Sequence, residues 1–105
     1  MPGLETMVYQ YSLLNNKTAA YSLTEGSSTE TLDFNAVRGY NAHFGYVDNT
    51  ASSNPVIVEV SNDGTNYADA FTVPAAKSVS IDGMNINTIK LTRKTGDSAG
   101  EVVLW

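Results

Sequence analysis

The sequence contains no cysteine. Disulfide bridges, zinc sites built on thiolates and catalysis by a cysteine nucleophile are therefore excluded. A small domain without such crosslinks depends for its stability on packing of its own core or on assembly with other chains. We expect this chain to depend on both.

Charge is scarce, and positive charge is the scarcer kind. Only 16% of the 105 residues are charged, and the formal net charge is −5. A nucleic-acid-binding protein normally carries a basic patch, so we expect no nucleic-acid partner. No apolar stretch approaches the 18 residues of a membrane span, and we expect no membrane partner. Residues 1–5 (MPGLE) lack the basic and apolar regions of a signal peptide, so synthesis and retention in a cytoplasm are expected if Met1 is the native start, but not if the chain is an excised domain.

Neutral polar residues take the place of the missing charge. The chain has 10 Ser, 11 Thr and 10 Asn, nearly a third of its length. Threonine suits a pleated strand, whereas serine and asparagine suit turns. Apolar residues alternate with polar ones throughout, and helical periodicity is missing. Length and pattern together predict a single domain over 1–105 that is an all-β antiparallel sandwich of eight or nine short strands, of jelly-roll or Greek-key type.

The alternation also predicts where the strands lie. The expected strands are 5–14, 17–24, 31–35, 36–48, 55–61, 67–73, 78–81, 86–93 and 101–105. Turns are expected at 15–16, 25–30, 49–54, 62–65, 82–83 and 95–100 because these segments consist mostly of Asn, Asp, Gly, Ser and Thr. Residues 36–48 form the longest and most aromatic of the strands. Its alternation puts one apolar row on a single face: Tyr40, Ala42, Phe44 and Tyr46.

No group of residues predicts catalysis, and we expect no enzyme activity, no cofactor and no metal site. His43 is the only histidine and has no carboxylate at a near spacing on its strand face. Aspartates recur in the predicted turns beside Asn, Gly or Ser, where side-chain capping of the backbone explains them without an ion. These are Asp48, Asp63, Asp82 and Asp97. Lys90 and Arg93 fall on opposite faces of their strand and do not make a basic stripe.

The aromatic residues are the remaining candidates for function. Four tyrosines near predicted loops could stack on sugar rings: Tyr21, Tyr40, Tyr46 and Tyr67. Tyrosine is equally enriched at interfaces between subunits. Leu4 and Met7 near the start of the chain and Trp105 at its end are the expected contacts with a neighbouring subunit.

Residues 58–67 read VEVSNDGTNY. This stretch resembles the VxVSxDGxxW hairpin of discoidin-like jelly-roll domains of the galactose-binding type. Residues 89–93 and 102–104 stand where that family has its later strands, so the likeness covers the second half of the chain. It implies a sandwich topology. The family's sugar- and lipid-binding spikes lie in early loops. The corresponding loops of this chain are short and consist of residues with small side chains, so no binding residue is carried over.

The same hairpin, followed by 72–76 (TVPAA), 78–82 (SVSID) and 89–91 (IKL), resembles small structural proteins of tailed bacteriophages. That resemblance extends to the whole chain: short, β-rich, acidic and without cysteine. It implies a non-enzymatic virion component, namely a capsid decoration or cement protein. Such a protein would bind the assembled shell as an oligomer, with a trimer favoured and a major capsid or other virion protein as partner. The alternative function is a carbohydrate-binding jelly-roll module.

Overall fold

A computed structural model describes residues 17–26 and 28–105 of the chain. The predicted strand 5–14 and the proposed contacts Leu4 and Met7 lie outside these residues. Eight strands and one short helix are present in the described part. The strands are β1 (Lys17–Leu23), β2 (Thr29–Asp33), β3 (Ala42–Asp48), β4 (Val56–Ser61), β5 (Phe71–Val73), β6 (Ser78–Ile86), β7 (Thr88–Arg93) and β8 (Ser98–Leu104). The helix, α1, spans Phe34–Arg38 between β2 and β3.

The strands form two antiparallel sheets of four. The first sheet has the order β1-β8-β3-β6, and the second has the order β2-β7-β4-β5. The β-sandwich prediction is therefore confirmed. Four pairs, β1 with β8, β2 with β7, β3 with β6 and β4 with β5, are those of one long hairpin whose tip is β4–β5. Rolling that hairpin up brings β8 beside β3 and β7 beside β4, which makes the sandwich a jelly roll.

The core lies between the two sheets and follows the predicted alternation most closely in β4. Val56, Val58 and Val60 point inward while Glu59 points to solvent. Opposite them, Val47, Val102 and Leu104 of the first sheet are fully buried or nearly so. Each such aliphatic side chain contributes roughly 1.5–3 kcal/mol by leaving water. The buried side chains of the two sheets form one hydrophobic cluster, which holds the sheets together.

A short helix replaces the junction between two predicted strands, 31–35 and 36–48. The Asp33 side chain accepts a hydrogen bond from the backbone N–H of Ala36 at 3.0 Å and caps the first turn. Gly39 ends the helix in the left-handed conformation at φ 83°, which glycine adopts without steric cost. Phe34 is the buried residue of the helix. Five residues between two caps are too short to show helical periodicity in the sequence.

A β-bulge corrects the predicted faces of β3. The backbone N–H groups of His43 and Phe44 both donate to the carbonyl oxygen of Trp105, at 2.9 and 3.0 Å. Two residues of β3 therefore oppose one residue, Trp105, of the neighbouring segment, and the alternation of buried and exposed side chains shifts by one. Ala42, Gly45 and Val47 are buried, whereas Phe44 and Tyr46 point outward. The prediction that Ala42 shares a face with Phe44 and Tyr46 is wrong for this reason.

The predicted turn at 82–83 is also wrong. β6 runs through it as one strand, and Gly83 at φ 74° lies within the irregular stretch where the register against β3 shifts. The chain changes sheets at Asn87 instead. Its N–H donates to Ser61 O at 2.8 Å, and its carbonyl oxygen accepts from Asn35 N at 3.1 Å. Tertiary hydrogen bonds therefore fix this corner, with no local Asp-Gly turn.

Candidate functional site

The outer surface of the first sheet carries the exposed aromatic residues Phe44 and Trp105. Phe44 and Trp105 leave 45% and 39% of their surfaces in contact with solvent. Tyr46 lies opposite Val103 in the register of β3 with β8, and both are half-buried. We refer to Phe44, Tyr46, Val103 and Trp105 as the aromatic face. Exposed apolar residues that touch one another on a flat sheet mark a contact surface more often than isolated ones do.

The side chains of the aromatic face hold one another in place. The Phe44 and Trp105 rings are nearly parallel, with an interplanar angle of 25° and centroids 6.3 Å apart. Tyr46 meets Trp105 edge-on, with centroids 6.4 Å apart. The backbone of Trp105 is fixed as well, because its N–H donates to Phe44 O at 2.9 Å. Trp105, the expected subunit contact, is therefore docked on its own domain and still presents part of its surface to solvent.

Carboxylates lie near two edges of the aromatic face. Asp82 lies opposite Phe44 in β6, and Asp48 lies opposite Glu101 in β8. The strands that carry them, β3, β6 and β8, contain no lysine or arginine. Hydrogen bonds from the hydroxyl and the backbone N–H of Thr50 hold the pKa of Asp48 below its usual value. The aromatic face thus has an apolar centre with the carboxylates of Asp48 and Asp82 near its edges, and Lys17 of β1 lies opposite Val103 in the register.

The four tyrosines predicted to stack on ligands do not form one site. Tyr21 is 3% exposed, so the prediction that it is a loop-borne stacking residue is wrong. Tyr40 is exposed beside α1, where its ring meets Phe34 edge-on at 5.5 Å. Tyr67 lies against Lys90, whose Nζ is 4.4 Å from the ring centroid. Of the four, Tyr46 alone joins the aromatic face.

Tyr21 belongs to a buried polar network at one end of the sandwich. Its hydroxyl donates to Asn49 Oδ1 at 2.7 Å, and Asn49 Nδ2 donates to Asn54 O at 2.9 Å and Pro74 O at 3.1 Å. Burial, and secondly the nearby charge of Asp48, raise the pKa of Tyr21 to about 12. Asn49 is completely buried. The network ties β1 to the loop between β3 and β4 and to the loop between β5 and β6, which is a structural role.

The remaining titratable candidates are dispersed. Within residues 17–26 and 28–105, no three His, Cys, Asp or Glu side chains come close enough to hold a metal ion. His43 is exposed, and its Nδ1 lies 3.2 Å from Met84 O. Asp63 is used by its own turn, where Oδ1 accepts from the N–H groups of Thr65 and Asn66. Asp97 lies in the loop before β8, where Asn54 Nδ2 donates to its carbonyl oxygen at 2.8 Å.

Sequence reasoning missed Phe44 and Val103 as surface residues. Phe44 was assigned to one face with Ala42, and the bulge at His43 reverses that assignment. No turn or glycine signal marks the bulge in β3, because it is set by the Trp105 carbonyl oxygen more than 60 residues away. A Cβ on Gly45 would overlap Val103 O, so β8 approaches β3 closely there.

Comparisons with known proteins give no family. No protein-family model, no curated protein and no solved structure matches the chain. Among the helices of the described residues, none is long and apolar enough to cross a membrane. Any functional conclusion therefore depends on the surfaces of the molecule itself.

Proposed function

We propose that this protein is a non-enzymatic structural component of a virion, a capsid decoration protein that binds the assembled shell through its aromatic face. The observation that carries the proposal is the exposed contact between Phe44 and Trp105 on a rigid sheet. Aromatic residues with an apolar centre and a polar rim are the typical composition of protein–protein contacts. The resemblance in length, composition and motifs to phage structural proteins directs the proposal to a capsid.

The charges around the aromatic face specify the partner surface. Asp82 lies opposite Phe44 and Asp48 lies two residues beyond Tyr46, whereas Lys17 of β1 is the one lysine paired with the face, opposite Val103. Two copies that met face to face through this surface would bring like charges together, which is unfavourable. A capsid surface with an apolar depression and basic residues around it complements the face. An oligomer would present several copies of the face at once, so modest individual contacts add up to firm attachment.

Binding to virions tests the proposal. The partner is the purified virion whose genome encodes this chain, stripped of the endogenous copy. Phe44→Ser and Trp105→Ala each remove an aromatic contact, and we expect each variant to bind roughly 30-fold more weakly, as is typical of interface hot spots. Val37→Ser is the matched control, because Val37 is 77% exposed on α1 and lies outside the aromatic face. Equal binding of all four proteins would refute the role of the aromatic face.

Light scattering of the purified protein tests the oligomer. The proposal expects a defined oligomer, with a trimer favoured, and its attachment should weaken as salt screens the carboxylates near the aromatic face. A strict monomer that does not bind the virion at any salt concentration would overturn the proposed function.

A further inference from the structure

Asparagines gather at one end of the sandwich, where α1, the loop after β4 and the junction of β6 with β7 meet. Six of the ten asparagines in the chain lie there: Asn35, Asn41, Asn62, Asn66, Asn85 and Asn87. Beside them is an open cleft of about 410 Å³. None of the residues that line the cleft belongs to the aromatic face or to the buried network around Asn49.

The cleft combines an apolar floor with uncharged polar groups. Val60, Met84 and Tyr67 supply apolar surface, and Asn62, Asn66 and Asn85 supply carboxamides. None of the residues that line it carries a charge. An apolar ligand would leave the carboxamides unpaired, and an ionic ligand would find no counter-charge. A ligand with one apolar side and several neutral hydroxyls satisfies both parts of the lining.

Hydrogen bonds outside the cleft fix two of its three carboxamides, those of Asn85 and Asn66. Asn35 Nδ2 donates to Asn41 Oδ1 at 2.7 Å, and Asn41 Nδ2 donates to Asn85 Oδ1 at 3.0 Å. Asn66 Nδ2 donates to Asp63 Oδ2 at 2.9 Å. Asn85 is thereby held by its oxygen, which leaves its Nδ2 as a donor, and Asn66 is held by its nitrogen, which leaves Oδ1 as an acceptor.

The Tyr67 ring is also fixed in place. The backbone of Tyr67 pairs with that of Ser61, and the N–H of the neighbouring Ala68 donates to Val60 O at 2.8 Å. Lys90 Nζ lies over the ring at 4.4 Å from the centroid and 3.6 Å from Glu59 Oε1. Lys90 does not line the cleft, so its charge holds the ring without entering the cavity.

We propose that this cleft binds a neutral saccharide. The apolar C–H side of a pyranose ring would pack on Tyr67 and Met84, and its hydroxyls would donate to Asn66 Oδ1 and accept from Asn85 Nδ2. Because the carboxamides of Asn66 and Asn85 are already fixed, they lose little conformational entropy when a ligand binds. Their hydrogen bonds to a hydroxyl-rich ligand therefore add more to its affinity. This function is separate from attachment through the aromatic face and does not depend on it.

Titration followed by ¹⁵N–¹H NMR tests the proposal. The probes are the methyl glycosides of glucose, galactose, mannose and N-acetylglucosamine, each raised to tens of millimolar. At least one should shift the amide resonances of 60–68 and 84–85 in a saturable way, without shifting those of Phe44 and Trp105. The proposal would be overturned if none of the four glycosides shifted the amide resonances of 60–68 and 84–85. It would also be overturned if the resonances shifted equally over the whole molecule.

Three variants separate the saccharide site from general surface effects. Tyr67→Ala removes the ring, and Asn85→Asp keeps the oxygen that accepts from Asn41 while it removes the donor. Each should weaken saccharide binding roughly tenfold. Tyr40→Ala is the control, because Tyr40 is an exposed tyrosine that does not line the cleft. Unchanged affinity in Tyr67→Ala and Asn85→Asp, with both spectra otherwise native, would contradict the assignment. Virion binding by the same variants should be unaffected.

Discussion

Gly100 shows how closely the backbone of the first sheet is packed. A Cβ on Gly100 would overlap Asp48 O and would come within 2.9 Å of the Tyr21 hydroxyl oxygen. Asp48 O belongs to the neighbouring strand, and Tyr21 is fixed by its bond to Asn49, so neither can move aside cheaply. Gly100 is thus required by a close approach between chain segments that are far apart in sequence.

Gly100→Ala should destabilise the fold by about 1–3 kcal/mol, the usual cost of overpacking a filled interior. Gly26→Ala is the matched control, because a Cβ at Gly26 meets nothing within 4 Å. Urea unfolding followed by circular dichroism measures both variants. A Gly100→Ala protein as stable as Gly26→Ala would show that β8 can shift away from Asp48.

Tyr21 makes the stability depend on alkaline pH. Its pKa in the folded chain is about 12, whereas the ordinary value is 10.0, so folding favours the protonated hydroxyl. The stabilisation is complete below pH 10 and is lost as the pH rises from 10 towards 12. In this window the free energy of unfolding should fall by up to about 1.4 kcal/mol per pH unit from this group alone.

Tyr21→Phe should remove that contribution. The variant should be about 1–3 kcal/mol less stable at pH 7, because Asn49 Oδ1 loses its donor in a buried site. Between pH 10 and 12 its free energy of unfolding should fall less steeply than that of the original chain. Urea unfolding at several pH values measures both slopes, and the other tyrosines and lysines contribute equally to the two proteins. Parallel curves would contradict the assignment.

Among the elements, α1 depends most on a single local contact. Five residues are too few for a helix to be stable without capping and tertiary packing. Asp33 supplies the cap, and Phe34 supplies the packing. The helix also places Asn35 beside Asn41, whose side chain in turn donates to Asn85 in the cleft, so the helix supports the hydrogen bonds that position Asn85.

Asp33→Ala should cost about 0.5–2 kcal/mol, the range for loss of an N-cap side chain. It should also lower the hydrogen-exchange protection of the Gly39 N–H, which donates to Asn35 O at 2.7 Å. Asp69→Ala removes the same charge from an exposed loop position and serves as the control. Unchanged protection at Gly39 in Asp33→Ala would mean that the packing of Phe34 alone holds the helix.

At the scale of the elements, the alternation of apolar residues correctly predicted which side chains face the core where a strand keeps its alternation over its whole length. β4 is such a strand, with valines inward and Glu59 outward. It failed where a bulge or a cap interrupts the pattern, in β3 and α1. β7 lies inside the second sheet, and Arg93 at its end contacts Glu25 at 3.2 Å.

The whole molecule is closed by its last strand. β8 lies between β1 and β3, so the C-terminal residues complete the first sheet and join segments from the start and the middle of the chain. Such non-local pairing makes folding slow, because a long loop must close before the contacts form. We expect folding in milliseconds to seconds.

Trp105 reports that closure, because it is the only tryptophan and docks on Phe44 and Tyr46. Stopped-flow fluorescence after dilution from urea should give its native emission in the same phase as the far-UV signal. Removal of residues 98–105 should abolish the folded state, whereas Trp105→Ala should retain it. Refolding within microseconds, or a folded chain without β8, would contradict this dependence on the last strand.

The sequence by itself determined the fold class and most strand positions, because these depend on local composition and on a period of two, and its lack of cysteine rules out disulfide bridges. Only the tertiary structure decided which sheet each strand joins, which side of β3 faces solvent and which asparagines meet. Those features are set by hydrogen bonds between distant residues, such as Phe44 with Trp105 and Asn41 with Asn85. Strand order and bulges arise from such pairings, and no local pattern records them.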